Sequence, residues 1–213
     1  MDITDPNVET YIHGLLRRRD EPVLLEMEAE AEASGFPIVG RMSGVVIEIL
    51  ARSIGAKRVF ELGSGYGYSA YWFARATGPD GEVHLTDTDP ENERKAFDYL
   101  GRAGVVNAIT FHVGDAVAAL REVGGEWDAI YCDINKDGYP DAWREARTRI
   151  RPGGMYICDN TLGWGSGNVA TGEGRAEWVA AVRQHNESVF ADEEFVSTIL
   201  PIRDGVLVAL RAR

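Results

Sequence analysis

The sequence predicts an α/β chain: a mostly parallel seven-stranded sheet, helices on both faces, and an antiparallel hairpin at the C-terminal end. Three observations carry this. From residue 58 onward, short apolar runs of strand length alternate with helix-like stretches, five times over. A glycine-dense turn, ELGSGYGYS at 61–69, joins the first run to the first of these helices. The last two apolar runs, EFVSTILPI and GVLVALR, are joined by little more than Arg203-Asp204. A strand pair joined that tightly must be antiparallel.

The elements follow in order. Residues 1–57 read as mainly helical, with ARSIGAK leading into the first strand, RVFELG at 58–63. A helix, YSAYWFARA, comes next. EVHLTD at 82–87 is the second strand, entered from the turn GPDG. DPENERKAFDYLGRAG is a helix: Asp89 caps it, Pro90 suits its first position, and Gly101 and Gly104 mark its end. AITFHV at 108–113 is the third strand, and DAVAALREV a short helix. WDAIYCD at 127–133 is the fourth strand. GYPDAWREARTRI is helical with Pro140 in its first turn, and RPGG turns into the fifth strand, MYICD at 155–159. GRAEWVAAVRQHN is a helix with Trp178, Val179 and Val182 on one face. With 213 residues, 45% of them hydrophobic, the chain has material for one sizeable core. We read 1–213 as one domain, an N-terminal helical segment (1–57) followed by the α/β core (58–213).

A net charge of −12 argues against non-specific binding to nucleic acid or to anionic membranes. The run Arg17-Arg18-Arg19, followed at once by Asp20-Glu21, reads as a solvated helix face. No apolar run is long enough to span a bilayer, and MDITDPNVET is unlike a signal peptide, so a cytoplasmic protein is expected. Cys132 and Cys158 form no zinc pattern; both precede an Asp in apolar segments, where buried free thiols are the expectation.

CDINKDGYPDAW (132–143) opens like an EF-hand loop, Asp133-x-Asn135-x-Asp137-Gly138. The twelfth position, which needs a bidentate Glu, is Arg144, and the preceding WDAIYC reads as a strand rather than an exiting helix. Turn-forming residues clustered by local chemistry are the better reading, unless the Asp at the strand end is functional.

The glycine loop does not match the dinucleotide pattern G-x-G-x-x-G: Gly63-x-Gly65-x-Gly67 is followed by Tyr68. A tight turn is one explanation, and close backbone approach to a ligand the other. Asp87, ending the second strand, is placed to accept from ribose hydroxyls. The loop begins with Glu61, an anion that would repel a pyrophosphate but suits a sulfonium cofactor carrying an ammonium. The residues therefore favour S-adenosylmethionine (SAM) over a nicotinamide dinucleotide.

Together ELGSGYGYS, TDTD, GDA at 114–116, YCDINK and CDN at 158–160 resemble the cation-dependent O-methyltransferases, the caffeoyl-CoA and catechol O-methyltransferase group, most closely its bacterial members. The resemblance runs from about Gly44 to Leu210. It implies the Rossmann-like fold of SAM-dependent methyltransferases, a homodimer, and an N-terminal region that helps cover the site. It implies that Glu61, Gly63 and Ser69 bind the methionine part and loop side of SAM, that Asp87 holds the ribose, and that Asp115 and Ala116 flank the adenine. Asp133, Asp159 and Asn160 would ligate a divalent cation, with Asp133 also near the cofactor amine, and Lys136 would sit beside the substrate hydroxyl. The chain departs from the family pattern at Asn135, where a second acid is usual, at Pro37 and Val39, and at Gly163, where a Trp is usual and Trp164 follows instead.

The chemistry fits the residues. A phenol titrates near ~10 and is a poor nucleophile at neutral pH; a bound cation lowers that value and fixes a chelating pair of oxygens. If the fourth and fifth strands are adjacent and parallel, Asp133 and Asp159 at their tips lie about 5 Å apart, within reach of one ion. Asn160 adds a neutral oxygen, and an all-oxygen set selects magnesium, calcium or manganese over zinc. Asn135 and Asp137 are then turn-formers. Lys136 is either a general base or a solvated loop lysine. None of His13, His84, His112 and His185 is given a role; His84 and His112 fall within strands. Trp143 is either pocket or core, and Trp164, in a glycine-rich loop, belongs with a small aromatic substrate. The sequence thus points to a SAM- and cation-dependent O-methyltransferase of vicinal dihydroxy aromatics. The alternatives are a nicotinamide-dependent dehydrogenase and a non-catalytic cofactor-binding protein on the same fold.

Overall fold

The structure is a computed structural model that describes residues 6–16, 21–165 and 167–212. The arginine run at 17–19 lies outside the described residues. Three helices come first: α1 (Pro6–Leu16), α2 (Pro22–Ser34) and α3 (Gly40–Ser53). Strands and helices then alternate as β1 (Arg58–Leu62), α4 (Tyr68–Thr77), β2 (Glu82–Asp87), α5 (Pro90–Arg102), β3 (Ile109–Val113), α6 (Ala116–Val123), β4 (Trp127–Cys132), α7 (Tyr139–Ala146) and β5 (Ile150–Cys158). A two-residue ribbon, β6 (Gly163–Trp164) with β7 (Gly167–Asn168), precedes α8 (Ala176–Phe190), β8 (Phe195–Leu200) and β9 (Val206–Arg211).

Seven strands form one sheet in the order β3-β2-β1-β4-β5-β9-β8. The first five are parallel; β9 runs antiparallel to both β5 and β8, which is the expected hairpin. The order reverses between β1 and β4, the seam where open α/β sheets take their ligands.

Both faces of the sheet are covered, and the strands show it by strict alternation. Val59, Val83, Leu85, Ala129, Tyr131, Met155 and Ile157 pack on one face against residues of α2 to α5. Phe60, Leu62, Ile130, Cys132, Tyr156 and Cys158 pack on the other against α6 to α8. The two cysteines are free and buried, as expected. Trp143 is buried too and belongs to this second layer.

Three boundaries differ from the sequence reading by more than two residues, the first being that α7 ends at Ala146 rather than running on to Ile150. The fifth strand begins at Ile150, not after RPGG. Trp127 pairs with Ile150 and Ala129 with Met155, so residues 151–154 bulge opposite Asp128 alone. The Asp128 carboxylate stabilises this bulge by pairing with Arg151, while its other oxygen accepts from the amides of Lys57 and Arg58 at 2.7 Å. Helix α8 continues beyond Asn186 to Phe190, because His185 and Val189 stay buried in phase with Val182.

Candidate active site

The carboxyl ends of the parallel strands open into a cleft of about 1090 Å³, at the upper end of small-molecule sites. Its floor is knitted across the strand ends. Asp133 N donates to Leu62 O at 2.8 Å, Asp159 N to Cys132 O at 3.0 Å, Ser64 N to Thr86 O at 2.8 Å, and Gly114 N to Asp87 O at 2.8 Å. Each functional carboxylate therefore leaves the sheet from a fixed peptide.

Of the ten residues singled out from the sequence, nine line this one cleft: Gly63, Ser69, Asp87, Asp115, Ala116, Asp133, Lys136, Asp159 and Asn160. Glu61 is not on its wall. That carboxylate is wholly buried and neither oxygen has a hydrogen-bond partner among the described residues. Burial pushes its pKa up to about 8, the nearby Ser64 and Ser69 hydroxyls pulling the other way.

One half of the cleft is built on β1 to β3. Gly63 is at φ 81°, and a Cβ there would sit 2.5 Å from Asp133 O, so this position is a turn and close backbone packing that demand glycine. Asp87 accepts from Asp89 N at 2.8 Å. Asp115 caps α6 by accepting from Ala118 N at 2.7 Å, a structural task that it holds alongside its place on the cleft wall. The segment 36–39, between α2 and α3, forms the roof over this half. Phe36 lies on Tyr66 of the glycine loop with ring centroids 4.8 Å apart. Pro37 and Val39, the two departures noted in the sequence, both face the cleft.

The other half is built on β4 and β5. Asp159 is 3% exposed, and its Oδ1 is buried without a hydrogen-bond partner among the described residues. Burial and the neighbouring Asp133 push its pKa up to about 7. Burial also raises Asp133, with Lys136 restraining the rise. Asn160 is held at φ 53°, which turns its amide towards the same place. Lys136, only 7% exposed, donates to Asn160 Oδ1 at 2.6 Å and to the Tyr139 hydroxyl at 2.7 Å, with Asp133 Oδ1 at 3.4 Å. It is not a solvated loop lysine. Tyr139 in turn donates to Asp159 O at 2.8 Å.

Three oxygen-bearing side chains converge here, one with a buried oxygen that lacks a partner, and this set fits a hard cation. Two are carboxylates and the third an amide; the described residues contain no group of three or more His, Cys, Asp or Glu placed to hold a metal. Trp164 lines the mouth with Trp178, their rings 6.0 Å apart and edge to face. The sequence reading put Trp178 beside Val179 and Val182 on one face, but only the two valines are buried. Tyr139 was also missed; its place three residues beyond Lys136, on the same turn, was the available signal.

A model of the O-methyltransferase family matches residues 20–212. The chain is 29% identical to a catechol O-methyltransferase of Niastella koreensis, over 96% of each chain. It is 32% identical to a catechol O-methyltransferase of Mycobacterium tuberculosis, over 84% of this chain and 81% of that one. Among solved structures it is similar to an O-methyltransferase of Streptomyces achromogenes involved in tomaymycin synthesis, solved in complex with SAM. That similarity has a TM-score of 0.86 and 26% identity over 97% of this chain and 96% of the other.

Proposed function

The chain belongs to the O-methyltransferase family, and we propose that it methylates one hydroxyl of a small vicinal-dihydroxy aromatic, with SAM as methyl donor and a divalent cation at the acceptor site. The observation that carries this reading is the trio of Asp133, Asp159 and Asn160 beside Lys136, with Asp159 buried and the other two half-buried, across the β1–β4 seam from a glycine-lined half-cleft.

The donor supplies a sulfonium methyl for in-line displacement by the acceptor oxygen, the C–S bonding pair staying on sulfur. The chain's own groups divide the remaining work. The glycine loop and Asp87 bind and orient the donor, with the strand-end peptides fixing where each group points. Asp133, Asp159 and Asn160 would hold the cation; when bound, it lowers the pKa of a neighbouring phenol and restricts the acceptor's orientation. Lys136 Nζ takes up the hydroxyl proton, and Tyr139 holds that amine against the site. Trp164 and Trp178 offer flat apolar contact to an aromatic ring. The catechol O-methyltransferase names of the relatives support the same acceptor class.

The test is a methylation screen over catechols and monophenols, with SAM, with and without exhaustive chelation. Turnover of a catechol should vanish on chelation and return with magnesium or manganese, while SAM binding measured by calorimetry persists. Undiminished turnover after metal removal would overturn the cation's role; methylation of monophenols alone would overturn the acceptor class.

A further inference from the structure

Among the described residues, only Asn160 and Arg203 hold a left-handed backbone without being glycine. Asn160 belongs to the acceptor site. Arg203, at φ 49° in the turn between β8 and β9, lines the same cleft, but its guanidinium bonds elsewhere. A side chain at such a φ is disfavoured where glycine would be at ease. Strain of this kind persists where the surroundings over-determine it, and here the surroundings say what it secures.

The turn itself is pinned. Gly205 O accepts from Thr161 N at 3.0 Å and Thr161 Oγ1 at 3.1 Å, and Asp204 O accepts from Leu162 N at 2.8 Å and Gly163 N at 3.0 Å. A Cβ on Gly205 would lie 2.6 Å from Leu162. From this fixed base the Arg203 guanidinium reaches across to the roof. Its Nη1 donates to Ile38 O at 2.9 Å and also to Val39 O. The next residue, Gly40, has φ 70°, and a Cβ there would stand 3.3 Å from the same nitrogen. The far end of the roof is held separately, by Phe36 on Tyr66 and against Gly65.

We propose that Arg203 is a positioning residue: from the C-terminal hairpin it fastens the segment 36–39 over the donor half of the cleft, and so sets the affinity for the methyl donor without touching the reacting atoms. A charged donor bonded to two carbonyls of a segment that is neither helix nor strand is well suited to this. The roof is thereby tied, through the pinned turn, to residues 161–163 just beyond Asp159 and Asn160. The proposal rests on the donor assignment above only for its affinity readout.

The test compares wild type with Arg203→Met, Arg203→Gly and Arg203→Lys. Arg203→Met keeps the strained backbone and loses the donors. Arg203→Gly loses the donors but takes the left-handed φ freely, so its folding is secure. Two quantities are read: the SAM dissociation constant by calorimetry, and the rate at which thermolysin cuts the Ile38–Val39 bond in the ligand-free native protein. Both the Met and the Gly variants should bind SAM about tenfold more weakly and be cut about tenfold faster. The Lys variant should lie between them and wild type, since its ammonium is a point charge without the fork. The loss should fall on the KM for SAM more than on kcat. Cutting at the wild-type rate in the folded Gly variant would overturn the proposal, as would a loosened roof with unchanged SAM affinity. Should wild type itself fail to bind SAM, the donor assignment fails, and the cutting rates alone still decide whether Arg203 holds the roof.

Discussion

The two halves of the cleft are built to opposite plans. On the β1–β3 side, the surface carboxylates already have partners in the ligand-free protein: Asp87 accepts from Asp89 N and Asp115 from Ala118 N. The glycine loop lines the rest, and its Gly63 N already donates to Thr86 Oγ1 at 3.0 Å and its Ser64 N to Thr86 O at 2.8 Å. On the β4–β5 side, Asp159 is buried with an oxygen that has no partner among the described residues, Asp133 is raised beside it, and a nearly buried lysine stands among them. If the two sides are the donor and acceptor sites we propose, binding uses groups that are content without the ligand, and chemistry uses groups whose burial is unfavourable until something of the right charge arrives. Glu61 is the exception, a buried and raised carboxylate beneath the donor half.

The largest test of this contrast is Lys136→Met. If Lys136 Nζ is the proton acceptor, single-turnover methylation of a catechol should slow by roughly 10²–10⁴-fold. SAM affinity should change far less than the rate, because the one group near the cofactor that this amine meets, Asp133, does so only at 3.4 Å and keeps its carboxylate. Raising the pH should recover part of the rate, since the acceptor then ionises without the base. Equal damage to SAM affinity and to rate would show that the two halves are not separate.

The second test turns on stability. A buried carboxyl whose pKa is raised in the folded state binds its proton more tightly there than in the unfolded chain. Stability then falls as pH rises from the unfolded value near ~4 through the folded value, about 7 for Asp159 and about 8 for Glu61. Metal-free wild type should therefore lose thermal stability between pH ~5 and ~8. Asp159→Asn removes one such charge and should be more stable than wild type at pH 8, by on the order of 3 kcal/mol, while losing catechol methylation. A flat wild-type profile, or an Asn variant less stable at pH 8, would mean that Asp159 carries no such cost.

The contrast also explains what could be read without a structure. Strands buried on both faces appear as nearly continuous apolar runs, so β1, β2 and β4 were plain. The Asp residues at their tips stood out by position. The start of β5 did not, because the bulge at 151–154 depends on Asp128, a partner in another strand. Asn186 looked like a helix stop, yet its amide donates to Thr161 O at 2.8 Å, a tertiary contact that leaves α8 free to continue. Trp178 shares a helix with Val179 but lies about 100° round it, enough to move it from core to cleft. Arg203 was beyond reach for a different reason: its partners, Ile38 and Val39, lie 165 and 164 residues away in the chain.

The smallest effect, and the one that probes the donor half alone, belongs to Asp87. One of its oxygens is engaged by Asp89 N, and Asp89 itself caps α5 by accepting from Glu91 N at 2.9 Å. Removing the carboxylate therefore does two things: it takes away an acceptor for the ribose and loosens the start of a helix. Two variants separate them. Asp87→Asn keeps an oxygen for Asp89 N and one acceptor overall, whereas Asp87→Ala keeps neither. In the alanine variant SAM binding should weaken by about 1.5–3 kcal/mol, the scale of a hydrogen bond to a charged group, and the thermal midpoint should drop slightly. In the asparagine variant the midpoint should hold while roughly half of the affinity loss remains, because an amide accepts less strongly than a carboxylate. With saturating SAM, both should methylate a catechol at close to the wild-type rate, since the acceptor half is untouched. Unchanged SAM affinity in a folded Asp87→Ala protein would take Asp87 out of the donor site and leave it as a turn residue.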